Sequence, residues 1–332
     1  MKAAVIGGGS WGSAFARYLG QIKIPTRLWI REPNILASAL RTRENKTFLP
    51  GFTFPPPVTP TGDMAGAVAD SNTVFIAVPS QYCRPVYEEI APHLRDDQIV
   101  VSLTKGIDKT TLKRMSQVMD EVFRAAKVRP GVAVLSGPSF ARDVAAGHPT
   151  ALVVASRDIE AAHAIQHRIS SLTIRAYTSR DVTGVEIAGA LKNVIAIAAG
   201  IIDALDYGLN SRAALITRGL VEITQLGLAM GASRSTFSGL AGVGDLVLTC
   251  TGELSRNHHV GRELGQGKSL KTILSGMKMV AEGVHTTVSA RKLARLHGIE
   301  MPISEQIYQV LYRNKPPRKA LADLMSRALK EE

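Results

Sequence analysis

The sequence predicts two domains, a doubly wound and mostly parallel α/β domain over residues 1–180 and an all-helical domain over residues 181–332. A length of 332 residues is ample for two hydrophobic cores. Short β-branched apolar runs alternate with segments of helical period in the first part of the chain, whereas only helical periodicity continues after it. Such alternation is typical of a parallel sheet covered by helices on both faces.

Seven apolar runs are expected to form the sheet, because each is short and most are β-branched and apolar enough to be buried on both faces. Helix-length segments, such as residues 10–21 and 110–126, separate several of them. The proline-rich segment 47–63 cannot continue a helix, and we expect it to be a loop within this domain. The expected strands are KAAVI (2–6), TRLWI (26–30), TVFIAV (73–78), QIVVSL (98–103), VAVLS (132–136), ALVVA (151–155) and TIRAY (173–177).

Periodicity in the second domain predicts helices over residues 183–205, 211–230, 256–266, 269–275, 287–297 and 303–312. The first of them holds one cation, Lys192, in a run of small and branched apolar residues. Its neighbours one turn away are Ala188, Gly189 and Ala196, so this helix face carries little side-chain bulk. Two interpretations stay open. The ammonium reaches water along a core helix, or the bare face leaves room for another helix or a ligand and the lysine acts as a general base.

The chain carries a formal charge of +12, from 40 Lys and Arg against 28 Asp and Glu, which favours partners of negative charge. The basic residues are spread along the whole chain, and aromatic residues make up only 5%. The one dense basic cluster is RNKPPRK at 313–319, and neither a stacking platform nor a basic helix is evident. We therefore expect no nucleic-acid partner and assign the surplus charge to phosphate-binding sites and a solvated surface.

The longest uncharged apolar run, residues 193–202, is about half as long as a bilayer-spanning helix. The apolar stretch at the N-terminus is too short for the core of a signal peptide, and glycines follow at once. Cys83 and Cys250 cannot build a disulfide framework and lack metal-ligand spacing, which agrees with a reducing compartment. These observations predict a cytoplasmic protein without a membrane span.

A glycine pattern stands where the first strand meets the first helix. Gly7, Gly9 and Gly12 form G-x-G-x-x-G between KAAVI and a helical segment, the context in which this pattern marks a dinucleotide-binding (Rossmann) domain. The glycines allow a tight turn, close approach of the backbone to a pyrophosphate and packing of the helix on the strand. The amides that begin the helix bind the anion.

Arg31 and Glu32 follow the second strand, at the position where such a domain binds the adenosine ribose. An arginine there can hold the 2′-phosphate of NADP, whereas Glu32 can accept hydrogen bonds from the ribose hydroxyls of NAD. The cofactor is therefore NADP or NAD, with NADPH favoured. Arg31 as a solvated residue at the end of a strand is the alternative.

Three turns follow later strands, on the sheet edge where a doubly wound domain binds its ligand. They are VPS (78–80), TKGI (104–107) and SGPSFA (136–141). Lys105, in the second turn, is expected where the nicotinamide lies. If Lys105 and Lys192 converge on one small site, each disfavours protonation of the other, and the pair suits an anionic substrate.

The helical domain contains an acid and a helix start that suit a ligand site. Asp245 lies in GLAGVGDL among glycines and apolar residues, and is interpreted either as a site acid or as a helix-cap or turn acid. Ser255 is a natural N-cap that places Arg256 and Asn257 in the first turn of the next helix. Backbone amides together with a guanidinium suit a phosphate.

Eight motifs stand in order over nearly the whole chain: GGGSWG, VPS, TKGI, SGPSFA, GALKNVIAIAAGI, GLAGVGDL, SRN and AEGVHT. Together they closely resemble the bacterial NAD(P)-dependent glycerol-3-phosphate dehydrogenases, and the ordered set is far more specific than any one motif. The resemblance implies a Rossmann domain, a helical domain of the 6-phosphogluconate dehydrogenase C-terminal type, and a homodimer. It also implies reduction of dihydroxyacetone phosphate to sn-glycerol 3-phosphate for phospholipid synthesis.

The resemblance also implies roles for individual residues. Lys192 in ALKN matches the lysine that transfers the proton, Lys105 in TKG matches a lysine that contacts cofactor and substrate, and Asp245 in GVGDL joins them as a catalytic group. The implied substrate-binding residues are Lys105, Gly137, Ser139, Asp245, Ser255, Arg256 and Asn257. The cofactor-binding residues, including the glycines of the first turn, are Gly7, Gly9, Ser10, Trp11, Gly12, Arg31, Lys105, Ala141, Arg256, Val280 and Glu282.

After SRN this chain has His258 and His259, where the family often has basic residues. We therefore expect this helix start to bind phosphate less strongly at high pH. Adjacent residues on a helix point in different directions, so these histidines do not form a chelating pair and we expect no metal. A β-hydroxyacid or 6-phosphogluconate-type dehydrogenase, whose substrate would carry a carboxylate, is an alternative. A non-catalytic dinucleotide sensor is another, but the presence of Lys105, Lys192 and Asp245 argues against it.

Overall fold

The computed structural model describes residues 1–277, 279–329 and 331. The chain divides into two compact units. The first contains Met1–Asp108 and Lys113–Glu186, and the second contains Lys109–Leu112 and Ile187–Glu332. The first unit holds a sheet and its covering helices, and the second is helical.

Eight strands form the sheet: β1 (Ala3–Ile6), β2 (Thr26–Trp29), β3 (Val58–Thr61), β4 (Thr73–Ile76), β5 (Ile99–Ser102), β6 (Gly131–Ser136), β7 (Thr150–Ala155) and β8 (Ile174–Ser179). Their spatial order is β3-β2-β1-β4-β5-β6-β7-β8, and neighbours pair in parallel except β6 with β7, which is antiparallel. The strand order reverses between β1 and β4, the switch point of a doubly wound sheet. The predicted Rossmann-like, mostly parallel class is confirmed, and the seven predicted strands agree with the observed ones to within two residues.

The edge strand β3 corrects one prediction. It lies inside the proline-rich segment 47–63, which the sequence predicts to be a loop throughout. β3 pairs with β2 alone, with Pro60 beside Leu28. Proline has no N–H to donate to a ladder, but an edge strand needs hydrogen bonds on one side only. A strand at this position therefore tolerates a proline that a central strand would exclude.

Helices cover both faces of the sheet and build two cores. Phe15 and Phe75 lie in one core, and Ile76 lies in the other, on the opposite face of the sheet. Phe75 and Ile76 face opposite sides because successive strand residues alternate. These helices are α1 (Ser10–Gln21), α2 (Pro33–Thr42), α3 (Met64–Ala69), α4 (Cys83–Ile90), α5 (Met115–Ala125), α6 (Ala141–Ala146) and α7 (Ile159–Ile169).

The helical part of the chain contains α8 (Val182–Ala204), α9 (Gly208–Ala229), α10 (Arg234–Phe237), α11 (Asp245–Thr251), α12 (Arg256–Gly265), α13 (Leu270–Gly276), α14 (Glu282–Leu296), α15 (Pro302–Arg313) and α16 (Pro317–Met325). The six predicted helices are confirmed, although α14 begins five residues before its predicted start. The sequence missed α10 and α11, which are too short to display a helical period. It also missed α16, which begins inside RNKPPRK because Pro317 occupies a first-turn position that tolerates proline.

The small residues of α8 allow another helix to approach it closely. A Cβ on Gly200 would lie 2.0 Å from the carbonyl oxygen of His258, and a Cβ on Gly261 would lie 2.0 Å from that of Ile197. Helices α8 and α12 therefore pack backbone against backbone. By length and hydropathy α8 could cross a membrane, but it is buried within the protein along its apolar window, as a core helix is.

Candidate active site

The glycine-rich turn after β1 has the packing that its pattern predicts. Gly7 has a φ of +123°, and a Cβ on it would lie 2.6 Å from the carbonyl oxygen of Ala77. A Cβ on Gly12 would lie 1.9 Å from the carbonyl oxygen of Gly7, so no side chain fits between α1 and the turn. A Cβ on Gly9 would meet nothing within 4 Å. This open space beside the first amides of α1 fits a dinucleotide pyrophosphate.

Ser10 and Trp11, two of the expected cofactor residues, form the first turn of α1. The Ser10 hydroxyl donates to the carbonyl oxygen of Phe48 at 2.8 Å. The ring of Trp11 packs on Phe15, with centroids 5.7 Å apart. Both side chains are therefore held by protein contacts, which leaves their backbone amides as the groups suited to bind an anion.

Arg31 and Glu32 follow β2 and form an ion pair of 2.7 Å between Arg31 Nη2 and Glu32 Oε1. The Arg31 side chain is 66% exposed and that of Glu32 is 34% exposed. The guanidinium carbon also lies 5.9 Å from the ring centroid of Tyr82. An arginine with this freedom can turn to a 2′-phosphate, and the carboxylate can accept from ribose hydroxyls. The pair is therefore compatible with both cofactors.

Lys105 and the turn that follows β6 come together in the first unit. Lys105 Nζ donates to the carbonyl oxygen of Gly137 at 2.8 Å, and the Ser139 hydroxyl donates to the same oxygen at 3.0 Å. Gly137 has a φ of +126°, a conformation that glycine adopts readily. Ala141 begins α6 directly after this turn. The structure thus gathers Lys105, Gly137, Ser139 and Ala141 at the carboxyl edge of the sheet.

Lys192, Asp245 and Thr249 form a buried cluster in the second unit. Lys192 Nζ lies 2.8 Å from Asp245 Oδ1 and donates to Thr249 Oγ1 at 2.5 Å. The Thr249 hydroxyl donates in turn to the backbone carbonyl of Asp245 at 2.6 Å. The Lys192 and Asp245 side chains are 7% and 1% exposed, so the lysine does not extend along its helix into bulk water. These two contacts hold Lys192 Nζ in one place within the cluster.

The start of α11 explains how Asp245 and Thr249 reach the same lysine. Residues four apart on a helix lie on one face, so both side chains of D-x-x-x-T point the same way. A π-helical turn over Leu240–Gly244 precedes the helix, and a Cβ on Gly242 would lie 2.2 Å from the carbonyl oxygen of Phe237. The chain therefore doubles back tightly just before Asp245. Gly244 is the N-cap of α11, so Asp245 faces the lysine and does not cap the helix.

Two asparagines of the second unit form a buried hydrogen-bonded pair. Asn257 Nδ2 donates to Asn193 Oδ1 at 2.9 Å, and the backbone N–H of Gly283 donates to Asn257 Oδ1 at 2.9 Å. A Cβ on Gly283 would lie 2.5 Å from the carbonyl oxygen of Asn193, so the beginning of α14 lies directly against α8. These bonds orient the Asn257 amide, whose oxygen accepts from Gly283 and one of whose N–H groups donates to Asn193.

The start of α12 is built as the sequence predicts. The Ser255 hydroxyl accepts from the backbone N–H of His258 at 3.2 Å, which confirms Ser255 as the N-cap. Arg256 Nη1 donates to the carbonyl oxygen of Val280 at 2.7 Å, and Glu282 begins α14 two residues further on. Ser255 and Arg256 line a cavity of about 300 Å³. Four of the predicted site residues, Ser255, Arg256, Val280 and Glu282, therefore lie at this helix start.

The two histidines after SRN have different environments. His258 is buried, and its Nε2 lies 2.7 Å from Asp203 Oδ2, which also accepts from Arg212 Nη1 at 2.9 Å. His259 is exposed. His258 and its two partners line a second cavity of about 410 Å³. Within residues 1–277, 279–329 and 331, no group of three or more His, Cys, Asp or Glu side chains could hold a metal ion.

Sequence reasoning missed two polar residues of this site. Thr249 carries a signal in its spacing, since it stands four residues after Asp245 in the same apolar segment. Asn193 directly follows the lysine, but a helical period gives no reason to expect its side chain beside Asn257. The expected meeting of Lys105 with Lys192 concerns residues of different units and stays a prediction.

Comparison with known proteins identifies the family. The model described as the N-terminus of NAD-dependent glycerol-3-phosphate dehydrogenase matches residues 2–162, and the one described as its C-terminus matches residues 181–322. A protein of Syntrophotalea carbinolica, named glycerol-3-phosphate dehydrogenase (NAD(P)+), is 50% identical over 332 residues, which are 100% of this chain and 99% of the relative. A protein of Koribacter versatilis with the same name is 49% identical over 98% of this chain and 97% of its own length.

Solved structures are also similar to this chain over nearly its full length. The crystal structure of glycerol-3-phosphate dehydrogenase from Coxiella burnetii is 35% identical, covers 98% of this chain and 99% of that chain, and has a TM-score of 0.94. A ketopantoate reductase from Ralstonia eutropha is similar in fold alone, with a TM-score of 0.60 and 16% identity over 97% of this chain and 100% of its own. Because the family models match most of the chain and the relatives match its full length, the chain belongs to the NAD-dependent glycerol-3-phosphate dehydrogenase family.

Proposed function

We propose that this chain is an NAD(P)-dependent sn-glycerol-3-phosphate dehydrogenase that reduces dihydroxyacetone phosphate to sn-glycerol 3-phosphate. The observation that carries the proposal is the buried cluster in which Lys192 Nζ contacts both Asp245 and Thr249. Reduction of a ketone needs a hydride at carbon and a proton at oxygen. A desolvated ammonium held by two fixed partners is suited to supply that proton.

In the proposed mechanism, Lys192 transfers the proton. When bound, the dinucleotide supplies a hydride from its nicotinamide C4 to C2 of the ketone. Lys192 donates one proton to the oxygen on C2, so that the hydroxyl forms without a free alkoxide, and the amine then regains a proton from solvent. In the reverse direction the amine of Lys192 removes the hydroxyl proton. Asp245 and Thr249 hold Nζ in place, so that little reorganisation accompanies the transfer.

The substrate phosphate is assigned to the start of α12. Its amides, the Arg256 guanidinium and the side-chain N–H of Asn257 that does not bond Asn193 are all donors, and a phosphate ester offers only acceptors at neutral pH. Arg256 Nη1 already donates to the carbonyl of Val280, which holds the guanidinium beside the cavity. In the first unit, we assign Lys105, Gly137 and Ser139 to substrate binding. Lys105 is also assigned to cofactor binding.

The dinucleotide is assigned to the glycine-rich turn and its neighbours. The pyrophosphate is assigned to the turn formed by Gly7, Gly9 and Gly12 and to the backbone amides of Ser10 and Trp11. The open space at Gly9 supports this assignment. The other cofactor residues proposed are Arg31, Lys105, Ala141, Arg256, Val280 and Glu282. Family membership further supports a cytoplasmic homodimer that supplies sn-glycerol 3-phosphate for phospholipid synthesis.

Absorbance at the nicotinamide band tests the proposal directly. Purified protein is mixed with NADH or NADPH and then with dihydroxyacetone phosphate, or with a keto acid as the control for a sister dehydrogenase. Oxidation that depends on dihydroxyacetone phosphate is the expected result. Oxidation that depends only on the keto acid, or tight dinucleotide binding with no turnover on either ketone, would overturn the assignment.

A further inference from the structure

Asn45 lies outside every element of regular structure, yet it is completely buried beside the glycine-rich turn. Its Nδ2 donates to the carbonyl oxygen of Gly8 at 2.7 Å and to the hydroxyl of Ser13 at 2.9 Å. Its Oδ1 accepts from the backbone N–H of Phe48 at 3.1 Å. Because one partner is a carbonyl and another is an N–H, the amide can sit in one orientation only. All of these contacts lie within the first unit.

The bond from Asn45 to Gly8 fixes a peptide plane. The carbonyl of Gly8 and the N–H of Gly9 belong to the same peptide unit, and in a planar trans peptide these two bonds point in opposite directions. Asn45 draws the Gly8 oxygen towards the protein interior, and so the Gly9 N–H points away from it. A Cβ on Gly9 would meet nothing within 4 Å, so this residue borders open space.

The segment that carries Asn45 also holds the next residues of the turn. Leu49 N–H donates to the backbone oxygen of Asn45 at 2.8 Å, and Phe48 accepts from the Ser10 hydroxyl at 2.8 Å. Leu49 is buried and packs with Ala14 of α1. Residues 45–49 therefore clamp the glycine-rich turn from the side through one side-chain amide and one backbone carbonyl. Without this clamp the glycines, which accept many conformations, would carry the full entropic cost of ordering on binding.

We infer that Asn45 is a positioning residue for dinucleotide binding: it sets the direction of the Gly9 amide and thereby shapes the pyrophosphate cradle before the ligand arrives. This inference rests on the proposed placement of the dinucleotide at the glycine-rich turn. Pre-organisation of a donor lowers the cost of binding without any contact between Asn45 and the ligand. Asn45 should therefore act on the affinity for pyrophosphate-containing ligands and not on the chemical step.

Asn45→Ser tests the inference, because a serine keeps an oxygen near the Phe48 N–H but is too short to reach the Gly8 carbonyl. Asn45→Asp is the second variant: it keeps the shape and the acceptor, loses the donors and introduces a negative charge. Gln98→Ser is the matched control. Gln98 is also a buried amide, which donates to the carbonyl oxygens of Val68 and Ser71, but it precedes β5 and so lies at the opposite edge of the sheet from the turn.

Binding of ADP-ribose, which carries the pyrophosphate but no nicotinamide, is measured by calorimetry after melting curves have verified folding. The expected result is an ADP-ribose Kd raised about 10- to 100-fold in both Asn45 variants, with that of Gln98→Ser within about twofold of the parent. In kinetics the KM for the dinucleotide should rise, while kcat at saturating cofactor and the KM for dihydroxyacetone phosphate change by less than about threefold.

An ADP-ribose Kd that stays near the parental value in a folded Asn45 variant would overturn the inference. So would an equal loss in Gln98→Ser, since that would indicate general loosening of the unit. Should Asn45→Ser fail to fold, Asn45→Asp decides by the same criterion. Should both fail, Ser13→Ala decides, because it removes the second acceptor of Asn45 and should raise the Kd more than Gln98→Ser does. A parent protein that binds no ADP-ribose would overturn the proposed cofactor site itself, an outcome distinct from failure at Asn45 alone.

Discussion

The ammonium of Lys192 lies 2.8 Å from a carboxylate oxygen of Asp245, with the two side chains 7% and 1% exposed. Two charges removed from water are tolerated only when each satisfies the other and hydrogen bonds complete their shells. Thr249 supplies one such bond. Removal of one charge leaves the other buried and unpaired, at a cost of about 3–5 kcal/mol. Variants at this site therefore need a folding control beside each measurement of turnover.

Thr249→Val is expected to lower kcat by about 10-fold, because the ammonium of Lys192 loses a fixed acceptor and its orientation becomes less well defined. The substitution keeps the side-chain shape. Thr251→Val is the matched control on the same helix, since the Thr251 hydroxyl also donates to the carbonyl four residues back but is exposed. Steady-state kinetics decide: equal kcat values for the two variants would contradict an orienting role for Thr249.

Arg256→Ala is expected to raise the KM for dihydroxyacetone phosphate about 10- to 100-fold with a smaller change in kcat, because charge-assisted bonds to the phosphate are lost. Arg262→Ala, on the same helix, is the control for removal of one positive charge from α12. An unchanged Michaelis constant in Arg256→Ala, or an equal rise in Arg262→Ala, would remove Arg256 from the phosphate site.

Arg31 and Glu32 should move cofactor preference in opposite directions. Arg31→Gln removes the cation that can hold a 2′-phosphate and should lower kcat/KM for NADPH relative to NADH about 10-fold or more. Glu32→Gln removes a negative charge from the same place and should shift the ratio towards NADPH. The control is Arg27→Gln, which lies on β2 and breaks a surface ion pair of 2.7 Å with Asp70. The ratio of kcat/KM for NADPH to that for NADH is the deciding quantity. If Arg31→Gln and Glu32→Gln both give the same ratio as Arg27→Gln, neither residue sets the cofactor preference.

Glu222 gives the helical unit a pH-dependent stability. Its carboxyl is 4% exposed and accepts from the backbone N–H groups of Ile303 and Ser304 at the start of α15. Burial raises the pKa of Glu222 to about 7, against hydrogen bonds that lower it. The folded state thus holds this proton more tightly than the unfolded chain, whose glutamate pKa is about 4.3. The resulting stabilisation is complete below about pH 4.3 and is lost as the pH rises to about 7.

Comparison of the parent with Glu222→Gln isolates this contribution, because the amide does not titrate. The free energy of unfolding of the parent, minus that of the variant, should fall as the pH rises between about 5 and 7, with a slope of up to about 1.4 kcal/mol per pH unit. Above that range the difference should level off. Denaturant titrations at several pH values measure it, and a difference that is constant or rises with pH would contradict a raised pKa at Glu222.

Most of the architecture could be predicted from the sequence because its signals are local. β1 is apolar at every position and β4 is apolar after its first residue, Thr73, and Gly7, Gly9 and Gly12 stand directly between a strand and a helix. β3 was missed because tolerance of Pro60 depends on an edge position, which only the assembled sheet defines. α11 was missed because seven residues do not display a period, although its first residue, Asp245, was expected at the site.

The site residues that escaped prediction act through tertiary contacts. Nothing in the sequence around Asn45 connects it with Gly8, 37 positions earlier. Thr249 and Asn193 are ordinary helix residues until the lysine and Asn257 are placed beside them. The small residues Ala188, Gly189 and Ala196 predict a helix face on α8 with little side-chain bulk. The close approach of α12 at Gly200 could not be predicted, because it depends on how two helices pack.

The single-turnover rate of the Lys192→Met variant tests whether Lys192 transfers the proton. Enzyme with bound NADPH is mixed with dihydroxyacetone phosphate, and nicotinamide absorbance is followed for the parent, for Lys192→Met, and for Lys192→Met with Asp245→Asn, which leaves no unpaired buried charge. Both variants are expected to fold, to bind ADP-ribose with a Kd within about twofold of the parent, and to turn over about 10²- to 10⁴-fold more slowly. A folded Lys192→Met variant that oxidises NADPH within about threefold of the parental rate would show that Lys192 does not transfer the proton.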